Sequence, residues 1–184
     1  MTIARLLPLA LAAAMLAACN GHGEHFTLVS ASHTSIDNGA IKVVGSRVTL
    51  NPDHGPSATI GSTGDFAVDG KPVDVTPTQR ALLMHYYADA VGVRDHGLAT
   101  GKAGAAIAGK ALEGVAAGLA GGNSDSIGKR VDAQVARVKE TAMKICDDLA
   151  GIRTLQNQLA SQLPAFKPYG QLVSADSVDD CRED

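Results

Sequence analysis

Three patterns of apolar and polar residues follow one another along the chain. Residues 1–19, MTIARLLPLALAAAMLAAC, place Arg5 ahead of an apolar run from Leu6 to Leu16 and close on small residues and a cysteine. The run is too short to span a bilayer, which takes about 20 apolar residues. A basic start, a short apolar stretch and small residues at its end read as an export signal over 1–18. From 26 to 75 the chain has strand chemistry: 26–29, 41–44, 47–50 after a break at Gly45, 58–60, 66–68 and 71–73. Asn51-Pro52-Asp53 and Ser62-Thr63-Gly64-Asp65 supply turns. Asp69-Gly70 is a hairpin signal, because both central positions of the tight turn take positive φ. Pro72 lacks the N–H that a central strand donates, which places its strand at an edge. The expectation is a small antiparallel β-meander over about 26–75.

At Thr76-Pro77 the period changes from two to that of a helix. Thr76 caps, and Pro77 suits the first turn, where a missing N–H costs nothing. Leu82, Leu83, Tyr86, Tyr87, Ala90 and Val91 recur at helical spacing over 78–93. Of the adjacent tyrosines, one ring is expected in the core and the other at its margin. Residues 101–122, GKAGAAIAGKALEGVAAGLAGG, carry Gly114, Gly118 and Gly122 four apart, on one helical face. Such a face suits close helix packing, and each interior glycine costs about 1 kcal/mol against alanine, which packing must offset. After cap chemistry at 123–126, Val131, Val135, Val138, Ala142, Ile145, Leu149, Ile152, Leu155, Leu159 and Leu163 step by threes and fours until Pro164. That narrow stripe has the form of a coiled-coil seam. The short connection at 121–126 favours a hairpin with the glycine-rich helix, while a second subunit is the other partner for the seam. The aromatic segment 164–169 is expected to dock on the core. The fold class is therefore α+β: the meander, then a helical region over 76–184 whose long C-terminal helix forms a helical hairpin.

The end of the first pattern, Leu16-Ala17-Ala18-Cys19, resembles the lipobox of bacterial lipoproteins, which implies lipidation at Cys19. Two or three acyl chains anchor firmly where one does not, at roughly 0.8 kcal/mol per buried methylene. Asn20, rather than aspartate, follows the cysteine, which implies an outer-membrane lipoprotein facing the periplasm. Residues 19–25, ending Asn-Gly-His-Gly-Glu-His, read as a tether. With Cys19 acylated, Cys146 and Cys181 remain. An exported compartment is oxidising, so a disulfide is the default use of two such cysteines; free redox thiols and a metal site are the others.

Net charge is −3 over the full chain, which gives no support to nucleic-acid binding. Aromatic residues are 3% and tryptophan is absent, which argues against a stacking cleft. His22, His25, His33 and His54 lie in the N-terminal third, and imidazole suits Zn or Cu. His22 and His25 flank glycines in the tether, which makes them weak ligands. His85 reads as a helix-surface residue and His96 as a helix-end residue, where a protonated imidazole is favourable. No G-x-S-x-G, H-E-x-x-H or P-loop pattern occurs. Asp147-Asp148 on a helix point about 100° apart and do not form a catalytic dyad. No catalytic residue, metal site or cofactor is assigned.

GDFAVDGKPVDVTPTQRALLMHYYADAV, the glycine-rich 101–122, the cysteine of KICDDL, LPAFKPYG and the closing DDC together resemble, in order, the YggN-like family of proteobacterial envelope proteins. The resemblance covers most of 58–181. It implies an envelope location, this layout and the pairing of Cys146 with Cys181; it carries no catalytic residues. The lipobox sets this chain apart from members with an ordinary signal. The expected function is a lipid-anchored, non-enzymatic envelope protein that presents a binding or assembly face. Its partners would be the membrane, through the lipid, and a protein or a second copy. The alternatives are a membrane-active or oligomerising protein using helix 101–122, and a periplasmic metal-binding protein using His22 and His25.

Overall fold

The structure, a computed structural model, describes residues 28–29, 33–119 and 125–183, with side chains at 34–112 and 132–183. The signal at 1–18, Cys19, the tether with His22 and His25, and Gly122 lie outside the described residues. The remaining chain is α+β. Seven strands, β1 (Leu28–Val29), β2 (His33–Ile36), β3 (Ile41–Val44), β4 (Arg47–Leu50), β5 (Ala58–Gly61), β6 (Phe66–Val68) and β7 (Lys71–Val73), form one antiparallel sheet in sequential order. Three helices follow: α1 (Pro77–Leu119), α2 (Asp125–Gln162) and α3 (Ala175–Glu183), with a 3₁₀ segment Pro164–Tyr169 between the last two.

The meander buries one face. Ile41, Val43, Val48, Leu50, Ala58, Ile60 and Phe66 point inward, while Lys42, Val44 and Arg47 point to solvent. The register places these inward residues opposite one another: Val43 faces Val48, Val48 faces Ile60, and Ile60 faces Phe66. Such cross-strand pairs each contribute about 0.2–1 kcal/mol, and a one-residue slip would turn every one of them to water. Pro72 sits in β7, which pairs with β6 alone at the sheet's edge. β2 was not among the expected strands. Its residues His33-Thr34-Ser35-Ile36 are largely polar, and the turn that follows takes positive φ at Asp37, Asn38 and Gly39.

Thr76 and Gln79 close a reciprocal cap at the start of α1. The Gln79 N–H donates to Thr76 Oγ1 at 3.3 Å, and the Thr76 N–H donates to Gln79 Oε1 at 2.9 Å. The helix then runs on for 43 residues. The sequence suggested separate segments at 78–93 and 101–122; Gly92, Gly97 and Gly101 do not interrupt the helix. His96 is consequently mid-helix, not a helix end.

Leu83, Tyr86, Ala90 and Val93 of α1 and Leu149, Ile152, Gln156, Leu159 and Leu163 of α2 and its end are buried at steps of three and four. One position differs from the expected stripe: Leu155 is half-buried and Gln156 occupies the seam. Its amide is used at both ends, donating from Nε2 to the Val173 carbonyl at 2.5 Å and accepting the Val173 N–H at 3.2 Å. Pro164 ends α2 and starts the 3₁₀ segment, whose Phe166 and Tyr169 are buried. Their rings meet Phe66 at 5.5 and 6.1 Å between centroids, and Phe166 meets Tyr86 at 5.9 Å. Four of the six Phe and Tyr residues thus hold sheet, hairpin and tail together. Tyr86 is buried and Tyr87 half-buried, the expected division.

Candidate functional site

The two long helices are antiparallel, and named contacts fix their register. Gln79 Nε2 donates to the Gln162 carbonyl at 2.9 Å near the start of α1 and the end of α2. Farther along, α1 carries Asp89-Ala90-Val91-Gly92 and α2 carries Asp148-Leu149-Ala150-Gly151. A spacing of three puts each aspartate and its glycine on the same helical face. Reversal of direction then sets each aspartate against the other helix's glycine. A Cβ on Gly92 would stand 2.6 Å from Asp148 Oδ2, and a Cβ on Gly151 would collide with Asp89 Oδ2. Only glycine leaves room for a carboxylate between two helices at this crossing.

The electrostatics follow from that enclosure. Burial pushes Asp89 up to about 6; the charge of Asp148 adds to the effect and His85 opposes it. Burial also pushes Asp148 up, against the hydrogen bond and charge of His96, with a further upward push from Asp147. His96 Nδ1 lies 2.8 Å from Asp148 Oδ2, so α1 and α2 share a hydrogen-bonded pair one turn beyond Gly92. Asp147 turns away to solvent, with Arg182 of α3 at 3.8 Å. The divergence expected for adjacent aspartates is what the helix produces. His85 is exposed on α1, as expected.

Next to the crossing, Cys146 and Cys181 form a disulfide that ties α3 to α2. The tail is fastened to the sheet as well: Ser177 Oγ donates to Asp37 Oδ2 at 3.1 Å, and Tyr169 Oη donates to the Pro56 carbonyl at 2.9 Å. Arg94 Nη1 donates to the Gly45 carbonyl at 2.9 Å, anchoring α1 on the β3–β4 turn.

Beyond the crossing the hairpin changes character. On α1 most positions of 101–112 are exposed, and Leu112 is 73% exposed. On α2 most of 132–144 is exposed, with Val135 at 50% and Met143 at 38%. The expected stripe included Val135, which the hairpin leaves open. A Cβ at Gly101, Gly104 or Gly109 would meet nothing within 4 Å. Gly114 and Gly118 lie within the α1 backbone; the surroundings of the face they share with Gly122, where close packing is expected, lie outside the described residues, and the close helix approach that is described is at Gly92 and Gly151.

Among the described residues no group of three or more His, Cys, Asp or Glu side chains could hold a metal ion. No helix among them is long and apolar enough to cross a membrane. The crossing itself escaped the sequence because its signal, a D-x-x-G on each helix, becomes meaningful only once the register of the hairpin is known. No family model, curated protein or solved structure matches the chain.

Proposed function

We propose that this chain is a lipid-anchored, non-enzymatic scaffold of the cell envelope that presents the far half of its helical hairpin to a protein partner or a second copy. The observation that carries the reading is the exposure there of three large apolar side chains, Leu112, Val135 and Met143, among mostly exposed positions of both helices. The lipobox-like end of the signal at Cys19 and the resemblance to the YggN-like envelope family support the location.

Photo-cross-linking in intact cells tests the reading, with a reactive side chain placed at 112, at 135 or, for reference, at Asp53 in the loop between β4 and β5. Adducts at 112 and 135 that exceed those at 53 are expected, and replacing Cys19 with serine should reduce them by releasing the chain from the membrane. Equal labelling at all three sites would overturn the scaffold reading. A mass equal to twice the chain identifies a second copy; any other discrete mass identifies a different protein.

A further inference from the structure

We propose that the crossing of α1 and α2 is a proton-operated clasp, closed when one of Asp89 and Asp148 holds a proton and loosened when both are ionised. The proposal rests on the reciprocal seating of two carboxylates over Gly92 and Gly151, whatever the far half of the hairpin binds. The seating leaves the pair half-buried between two helices, where water screens a second negative charge poorly. Four titratable groups bear on it. Asp89 faces Asp148 across the crossing and His85 on its own helix. Asp148 faces His96 across the crossing, at 2.8 Å, and Asp147 on its own helix, itself approached by Arg182 of α3. One imidazole touches one of the two carboxylates, and among the described residues no hydrogen-bonded imidazole, lysine or arginine meets the second.

The sign follows from linkage. A carboxyl group raised in the folded state favours folding in its neutral form. Its contribution is complete below the ordinary aspartate value near 3.8 and is lost as pH rises through about 6. Asp148, also raised, acts in the same direction. The clasp therefore closes as the surroundings acidify and opens toward neutral pH, with the proton exchanged directly with solvent.

Hydrogen exchange of the full-length chain, read by mass spectrometry and corrected for the intrinsic pH dependence of exchange, tests this. Between about pH 5 and about pH 8, protection of segments 85–100 and 141–155 should fall by about threefold, since the full linkage factor for Asp89 over that interval is about tenfold and the exposure of the pair discounts it. Segments of β3 and β4 should change much less. Asp89→Asn, which keeps the shape and cannot ionise, should hold the crossing near its acid-state protection throughout. Asp148→Asn should also flatten the response, and it serves if the first variant fails to fold. His96→Gln should keep a pH response, since it leaves both carboxylates. A wild-type crossing with no pH response would overturn the proposal. So would a response that persists unchanged in both Asn variants, or one that disappears in His96→Gln alone.

Discussion

Gly92 and Gly151 differ from Gly101, Gly104 and Gly109 in what occupies the space a side chain would take. At the first two a carboxylate from the opposite helix fills it; at the other three nothing comes within 4 Å. All lie on the same two helices, and the same residue type does opposite things. In the near half, glycine allows a close approach that buried neighbours then hold. At Gly101, Gly104 and Gly109 it lowers helix propensity without a contact to offset it. The difference teaches that small residues do not themselves imply packing; the partner element decides. It also divides the hairpin into a half seated against the sheet and aromatic cluster and a half whose described side chains, at 101–112 and 132–144, are mostly exposed.

Substitutions can break that division at either end. Phe166→Ala removes the ring that touches Phe66, Tyr86 and Tyr169, and should cost about 3–5 kcal/mol in chemical denaturation. A loss under about 1 kcal/mol would mean that the near half is held elsewhere. Replacing both Cys146 and Cys181 with serine opens a loop of 35 residues and should cost about 3–4 kcal/mol on the chain-entropy account, read as a lower unfolding midpoint. A paired glycine test gives opposite signs. Gly151→Ala forces Asp89 from its seat and should destabilise by about 1–3 kcal/mol, as overpacking does. Gly104→Ala meets open space and should stabilise by about 0.5–1 kcal/mol. If both destabilise, the far half is packed after all. Leu112→Ser and Val135→Ser should move stability by no more than about 0.5 kcal/mol while reducing cross-links in cells, because these side chains are exposed within the chain.

Much of the fold was legible where residue chemistry acts locally. Thr76-Pro77 announced α1 because capping and a fixed φ depend only on neighbours, and Pro72 announced an edge because a missing donor is intrinsic to it. Phe166 and Tyr169 stood out in a chain with few aromatic residues. The misses are those where a distant segment decides. β2 has little apolar pattern of its own and is held by its pairing with β3. α1 passes Gly92 and Gly97 without ending, because α2 lies alongside. Gln156 enters the seam because Val173 brings a backbone carbonyl and N–H to meet it. The Asp89–Asp148 crossing belongs to this second kind: each half is an unremarked tetrapeptide, and only the antiparallel register joins them.

The crossing's position along the hairpin has a mechanical consequence. From His96 to the end of α1 the arm is about 35 Å long, at 1.5 Å per residue. The same pivot is braced on one side by the Arg94–Gly45 contact and on the other by the disulfide at Cys146. A stiff arm turns angle into distance. A rotation of about 10° there, within the scatter that packed helices tolerate, would sweep the tip through about 6 Å, roughly the pitch of one helical turn. A small change of seating at two carboxylates would thus be geared into a larger displacement at the end of α1.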